Sequence, residues 1–174
     1  MTPTMDQLDS MGPQDVFDYV AAHLLRQGWP AVLQGGQCQY RAPDGSMCAV
    51  GCLIPDAYYD RAMEGHDVCD LAGYLHSTLS GRRLGRFMLR HAALLDKLQR
   101  VHDRCDSSTW RNCLVTVAAR CGLHVDAVRH DADPDDFGLI VLRFALLPRD
   151  LLLVPKQAHH VVTQCKEAQE FAAA

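Results

Sequence analysis

The chain has 174 residues, the length of about one domain, and its 48% hydrophobic, 22% charged composition excludes a disordered chain. A formal net charge of -4 argues against a protein that coats nucleic acid through its overall charge. No apolar run reaches the roughly 20 residues of a membrane span, and the acidic N-terminus lacks the basic region of an export signal, so a cytoplasmic protein is expected.

Residues 1–11 read as a loose leader. Gly12-Pro13 opens a helix whose Val16, Phe17, Val20, Ala21, Leu24 and Leu25 share one face, with Gly28 as its stop. Pro43-Asp44-Gly45 sets a turn, and short strands on either side are predicted to pair as a hairpin, 38–41 with residues from Met47 onward. The apolar run 48–54 fits a buried helical turn equally well. Asp67 opens a helix with Val68, Leu71, Ala72, Leu75 and Leu79 inward, broken by Ser80-Gly81. A long helix follows over 84–104, burying Leu84, Phe87, Met88, His91, Leu94, Leu95, Leu98 and Val101. Trp110, Cys113, Leu114, Val117, Ala118 and Cys121 form the face of a further helix that Gly122 ends.

Beyond residue 124 the chain changes character. Asp126, Asp131, Asp133, Asp135 and Asp136 mark an acidic connector, 137–147 and 151–154 suggest a second hairpin, and 157–171 closes as a helix. The expected fold is therefore α+β and mainly helical. A core domain over 12–124 holds a small β-hairpin, and 125–174 is a C-terminal hairpin-plus-helix extension packed on or beside it. Trp110, Phe87 and Phe17 should dominate the core.

The segment Cys38-Gln39-Tyr40-Arg41-Ala42-Pro43-Asp44-Gly45-Ser46-Met47-Cys48-Ala49-Val50-Gly51-Cys52-Leu53-Ile54-Pro55-Asp56, with Tyr59 and Glu64-Gly65 beyond it, resembles a family of small uncharacterised phage and prophage proteins. Their pattern runs C-x-Y-R-G-P-x-G-x-x-C-A-x-G-x-L-I-P-D-x-x-Y, then E-G. Leu98-Gln99-Arg100-Val101-His102-Asp103 and Trp110 are similar to that family's L-Q-x-x-H-D and its downstream tryptophan. The resemblance covers 14–123; Ala42 departs from the family's glycine, and nothing beyond Val125 has a counterpart. It implies a mobile-element origin and no particular chemistry. Small phage proteins of this type often bind and redirect a host protein, including defence machinery.

Three constellations carry chemistry. Eight cysteines without an export signal read first as reduced, packed thiols. As an alternative, Cys38, Cys48 and Cys52, with His66 or Cys69 as the fourth donor, would make a tetrahedral zinc site, although three residues rather than two separate Cys48 from Cys52. Cys48 is also the candidate nucleophile of a small thiol-dependent enzyme, with His102 as base and Asp103 to orient it. Against this, neighbours on a helix face different ways and His102 projects to the apolar side.

The third constellation is electrostatic. Arg82, Arg83, Arg86, Arg90, Lys97, Arg100 and Arg104 fall within an arc of roughly 100° opposite the apolar face of the long helix. Any amphipathic helix has a solvated polar face, but the single sign of this one calls for an anionic counterpart. A host protein with an acidic surface ranks first. The chain's own aspartates over 126–136 rank second, and nucleic acid third, since the stripe lacks interleaved aromatics. The expectation is a non-enzymatic accessory protein that acts by binding a host protein, with a homodimer edge at 137–154 as a further contact.

Overall fold

The computed structural model describes residues 2–129; most of the acidic connector, the second hairpin with its homodimer edge, and the closing helix lie outside the described residues. Six α-helices occur among them: α1 Met5–Ser10, α2 Pro13–Gln27, α3 Val68–Ser77, α4 Arg82–Arg104, α5 Trp110–Cys121 and the short α6 Asp126–Arg129.

Each boundary has a local cause. Pro13 occupies the first position of α2, where its missing N–H is no loss, and Asp15 accepts the Gly12 N–H at 2.8 Å. Gly28 ends α2 with φ 74°, a left-handed conformation that a β-carbon would strain. Asp67 caps α3 by accepting from the Asp70 N–H at 2.8 Å. The predicted loose leader is instead α1, closed by a capping box in which Gln7 N donates to Thr4 Oγ1 and Thr4 N to Gln7 Oε1. Its Met5 and Leu8, with Met11 just beyond, are buried. Three apolar residues spaced three apart in so short a segment were too few to mark them as core anchors.

The expected α+β fold is corrected: the described residues are mainly helical and contain no strand. The predicted hairpin shrinks to one isolated bridge, Arg41 with Met47, beside a second bridge between Val32 and Cys38. The reason lies in competing partners. Tyr40 N and Arg41 N donate to the Glu64 carboxylate, and Met47 N donates to Gln27 Oε1, so no ladder propagates. After Met47 the chain turns into a 3₁₀ segment, Gly51–Leu53, because Gly51 lies directly beneath the Tyr40 carbonyl, where a Cβ would clash.

The helices enclose one apolar core in which Trp110, Phe17 and Phe87 are fully buried. α3 packs along α4 so closely that a Cβ at Gly85 would sit 2.4 Å from the His76 nitrogen. α2 crosses α4, α5 and α6, and α1 lies on α4.

His91 joins α4 to the α1–α2 junction. Its Nε2 accepts from Arg90 Nε at 3.1 Å, and its ring hydrogen-bonds the Met11 carbonyl. Burial, then the Arg90 charge, pushes this imidazole down from 6.5 to about 4. The folded protein thus holds a neutral histidine that the unfolded chain protonates below 6.5, so stability falls as pH drops through that window. Denaturant titrations should show a loss from this group of about 2 kcal/mol between pH 7 and pH 5. His91→Gln should flatten the pH slope by that amount; an unchanged slope would place the titration elsewhere.

Candidate functional site

Between α2 and α3 the chain runs for some forty residues with almost no regular structure, and side chains satisfy its backbone. Glu64 is the centre of this network. Its carboxylate accepts from Tyr40 N at 2.7 Å, Arg41 N at 3.0 Å and the Tyr59 hydroxyl at 2.7 Å. Arg41 donates to the Ile54 carbonyl, pairs with Asp56 at 2.8 Å and lies over the Tyr59 ring. The Tyr40 hydroxyl donates to the His66 carbonyl at 2.8 Å. From α4, Gln99 accepts the Val50 N–H at 3.2 Å. These side chains are thus largely engaged in holding the segment to itself, with Gln99 joining it to α4.

A cleft of about 430 Å³ opens between the 37–40 stretch, the 64–68 stretch and the last two turns of α4. Cys38, His66, Gln99, Asp103 and Arg104 line it. At its base, His102 Nε2 accepts the Ala31 N–H at 2.8 Å, which places the ring proton on Nδ1, and Nδ1 donates to Asp103 Oδ1 at 2.8 Å. Gln99 Nε2 donates to the same oxygen at 2.8 Å, and the Cys38 thiol hydrogen-bonds the carboxylate as well. Partial burial, then this hydrogen bond and the Asp103 charge, push the Cys38 thiol up to about 11.

This geometry bears on both cysteine alternatives. Among the described residues, the one group of three His, Cys, Asp or Glu side chains with ligand atoms within 4.8 Å of one another is Cys38, His102 and Asp103. Of the five candidate zinc ligands it contains Cys38 alone. Cys48 and Cys52 are sealed in the core, whereas His66 and Cys69 are exposed, with His66 stacked on Tyr74. A metal on His102 would also have to displace either the Ala31 N–H or the ring proton given to Asp103. The candidate catalytic trio is divided: His102 and Asp103 meet, but Cys48 is fully buried, accepts from Gly51 N at 3.2 Å and has its thiol pushed up to about 12 by that burial. Neither Cys38 nor Cys48 is activated as a thiolate.

The cationic stripe is partly spent. Arg83 pairs with Asp6 at 2.5 Å and Asp9 at 2.6 Å, and Arg90 donates to the Leu8 and Asp9 carbonyls at 3.3 Å. Arg100 pairs with Asp96 one turn away, and Lys97 donates to the Ala93 carbonyl. Asp6 and Asp9, in the segment read as a leader, are the acids that sequence reasoning missed; of the 126–136 segment, 130–136 lie outside the described residues. Arg82 and Arg86 stay exposed on the first turns of α4, which carry no acidic residue of their own.

Beside them stands an apolar residue that the sequence placed inward. α3 ends at Ser77, before the predicted break, because the Thr78 hydroxyl takes the Leu75 carbonyl at 2.9 Å and accepts from Gly81 N at 3.0 Å. A Cβ at Gly81 would meet Thr78 Oγ1 at 2.6 Å, so the turn is tightly built. Leu79 therefore swings out and is 88% exposed. Tyr74 is the other large exposed apolar residue on this hairpin.

Glu64→Ala would strand two backbone N–H groups and should cost about 2–4 kcal/mol in a urea titration, with Glu64→Gln losing less because one carbonyl oxygen remains. Equal stability of Glu64→Ala and the parent would show that the 40–41 backbone finds other partners. No protein-family model matches this sequence, and neither a curated protein nor a solved structure matches it.

Proposed function

We propose that this protein acts by binding a host protein through the turn between α3 and α4, as an accessory protein of the phage and prophage type that its motif resembles. The observation that carries this reading is Leu79, presented to solvent by a braced turn, close in sequence to Arg82 and Arg86, two exposed stripe cations without an ion pair among the described residues on the first turns of α4. An exposed leucine alone is ordinary; one held by a tight turn beside unneutralised arginines has the composition of a binding anchor with a charged rim. The complementary partner offers an apolar recess bordered by carboxylates. A component of host defence is the narrower form of the proposal and rests on the resemblance alone.

Nucleic acid fits less well. Asp6 and Asp9 interrupt the cationic row, so a phosphate backbone would meet carboxylates between the free arginines.

The test uses the full chain immobilised in bacterial host lysate, alongside Leu79→Ser and the double variant Arg82→Glu with Arg86→Glu. The proposal expects a protein retained by the parent, released by raised salt, and held at least about tenfold less by each variant, as for loss of an interface anchor. Circular dichroism confirms that the variants fold. Identical retained sets for parent and variants, or retention of nucleic acid alone, would overturn it.

A further inference from the structure

Cys105 is the C-cap residue of α4, and Cys113 lies at the end of the first turn of α5. The reversal between them is short and braced. Residues Ser107–Thr109 form a 3₁₀ turn, the Thr109 backbone N–H and hydroxyl both donate to the Asp106 carbonyl at 2.8 Å, and Trp110 Nε1 donates to the Cys105 carbonyl at 3.2 Å. This corner brings the two sulfurs together. The Cys105 and Cys113 side chains lie within interaction reach of each other across this corner, and Thr109 Oγ1 lies 3.9 Å from Cys113 Sγ. Both residues are half-buried, so each packs on the core and still reaches solvent, unlike the sealed Cys48 and Cys52.

We propose that Cys105 and Cys113 are a disulfide-forming pair that locks the α4–α5 corner when the protein meets a small-molecule disulfide such as oxidised glutathione. The exchange balances in two steps. The Cys113 thiolate attacks one sulfur of the oxidant, forming a mixed disulfide and expelling one glutathione thiolate. The Cys105 thiolate then attacks the Cys113 sulfur, closing the protein disulfide and expelling the second. The two protein thiols lose two electrons and two protons, and the oxidant is reduced to two thiols. Thr109 Oγ1, 3.9 Å from Cys113 Sγ, is placed to donate to that sulfur as it becomes a thiolate, which assigns Cys113 the first attack. The bond ties the end of α4, which carries Asp103 and Arg104 of the cleft wall, to α5.

Sequence chemistry makes the test direct. Trypsin cuts after Arg104, Arg111 and Arg120, which puts the two cysteines on separate peptides, 105–111 and 112–120. The full chain is incubated with oxidised glutathione at pH 8, its remaining thiols are alkylated, and the digest is read by mass spectrometry. The expected result is the linked pair 105–111/112–120 as the main cross-linked species, abolished by dithiothreitol. Cys105→Ser should convert it to a glutathione adduct on Cys113. The oxidised protein should melt several degrees above the reduced one, about 3–8 °C for a short loop closed in a domain of this size. The proposal is overturned if Cys105 and Cys113 both remain alkylatable when the exposed Cys69 carries glutathione, or if the linked peptides join other cysteines.

Discussion

The stretch between α2 and α3 holds its shape because side chains take the place of a backbone ladder. A chain that packs against helices without forming strands or a helix of its own must still find partners for its N–H and C=O groups. Here α2 supplies Gln27, which both donates to and accepts from Met47, and His23, which meets the same carbonyl at 2.9 Å. α4 supplies Gln99 and His102, and the segment's own end supplies Glu64. These are long-range bonds that form only when the helices are in place, so the irregular segment and the helical frame stabilise one another. Remove the frame and the segment has too little local structure to persist; remove the segment and polar groups of α2 and α4 face a void.

That dependence explains what the sequence revealed and what it withheld. Helices α2, α3, α4 and α5 are visible in a 3.6-residue apolar period with glycine or aspartate at their ends, because period and caps are local properties. The hairpin expectation failed for a non-local reason. Pro43-Asp44-Gly45 does form its turn, with Gly45 at φ 87°, but the residues flanking it bond to Glu64 and Gln27, which no local pattern announces. Arg82 and Arg86 were readable from a helical projection. Leu79 was not: the spacing from Leu75 places it on the buried face, and only the early stop at Thr78 turns it outward. α1 was hidden by its brevity, since six residues carry too little periodicity to stand out.

The electrostatics of α4 follow the same logic of commitment. A row of like charges on one helix repels itself, and arginines on the first turn oppose the dipole, each at a cost of about 0.3–1 kcal/mol. α1 relieves part of this by bringing Asp6 and Asp9 to Arg83, so the amino-terminal helix is held by charge as well as by Met5 and Leu8. Arg82 and Arg86, on either side of Arg83, and Arg104 at the far end of the helix stay exposed without an ion pair among the described residues. A stripe that reads as continuous in sequence is, in three dimensions, interrupted by ion pairs at Arg83 and Arg100.

The division of labour between motif and surface follows from these commitments. Tyr40, Arg41, Gly51, Tyr59, Glu64, Gln99 and His102 are each used by a backbone or packing contact that holds the segment in place. Substituting them tests the fold, and a loss of binding in such variants says nothing about where a partner sits. Leu79, Arg82 and Arg86 have the opposite property: they are exposed and lie outside the motif, so the fold should tolerate change there, and the proposed binding should not. On the proposed reading, a scaffold built in this way can keep its irregular segment and alter its target by changing one turn, so the proposal locates specificity in the α3–α4 turn and not in the segment between α2 and α3.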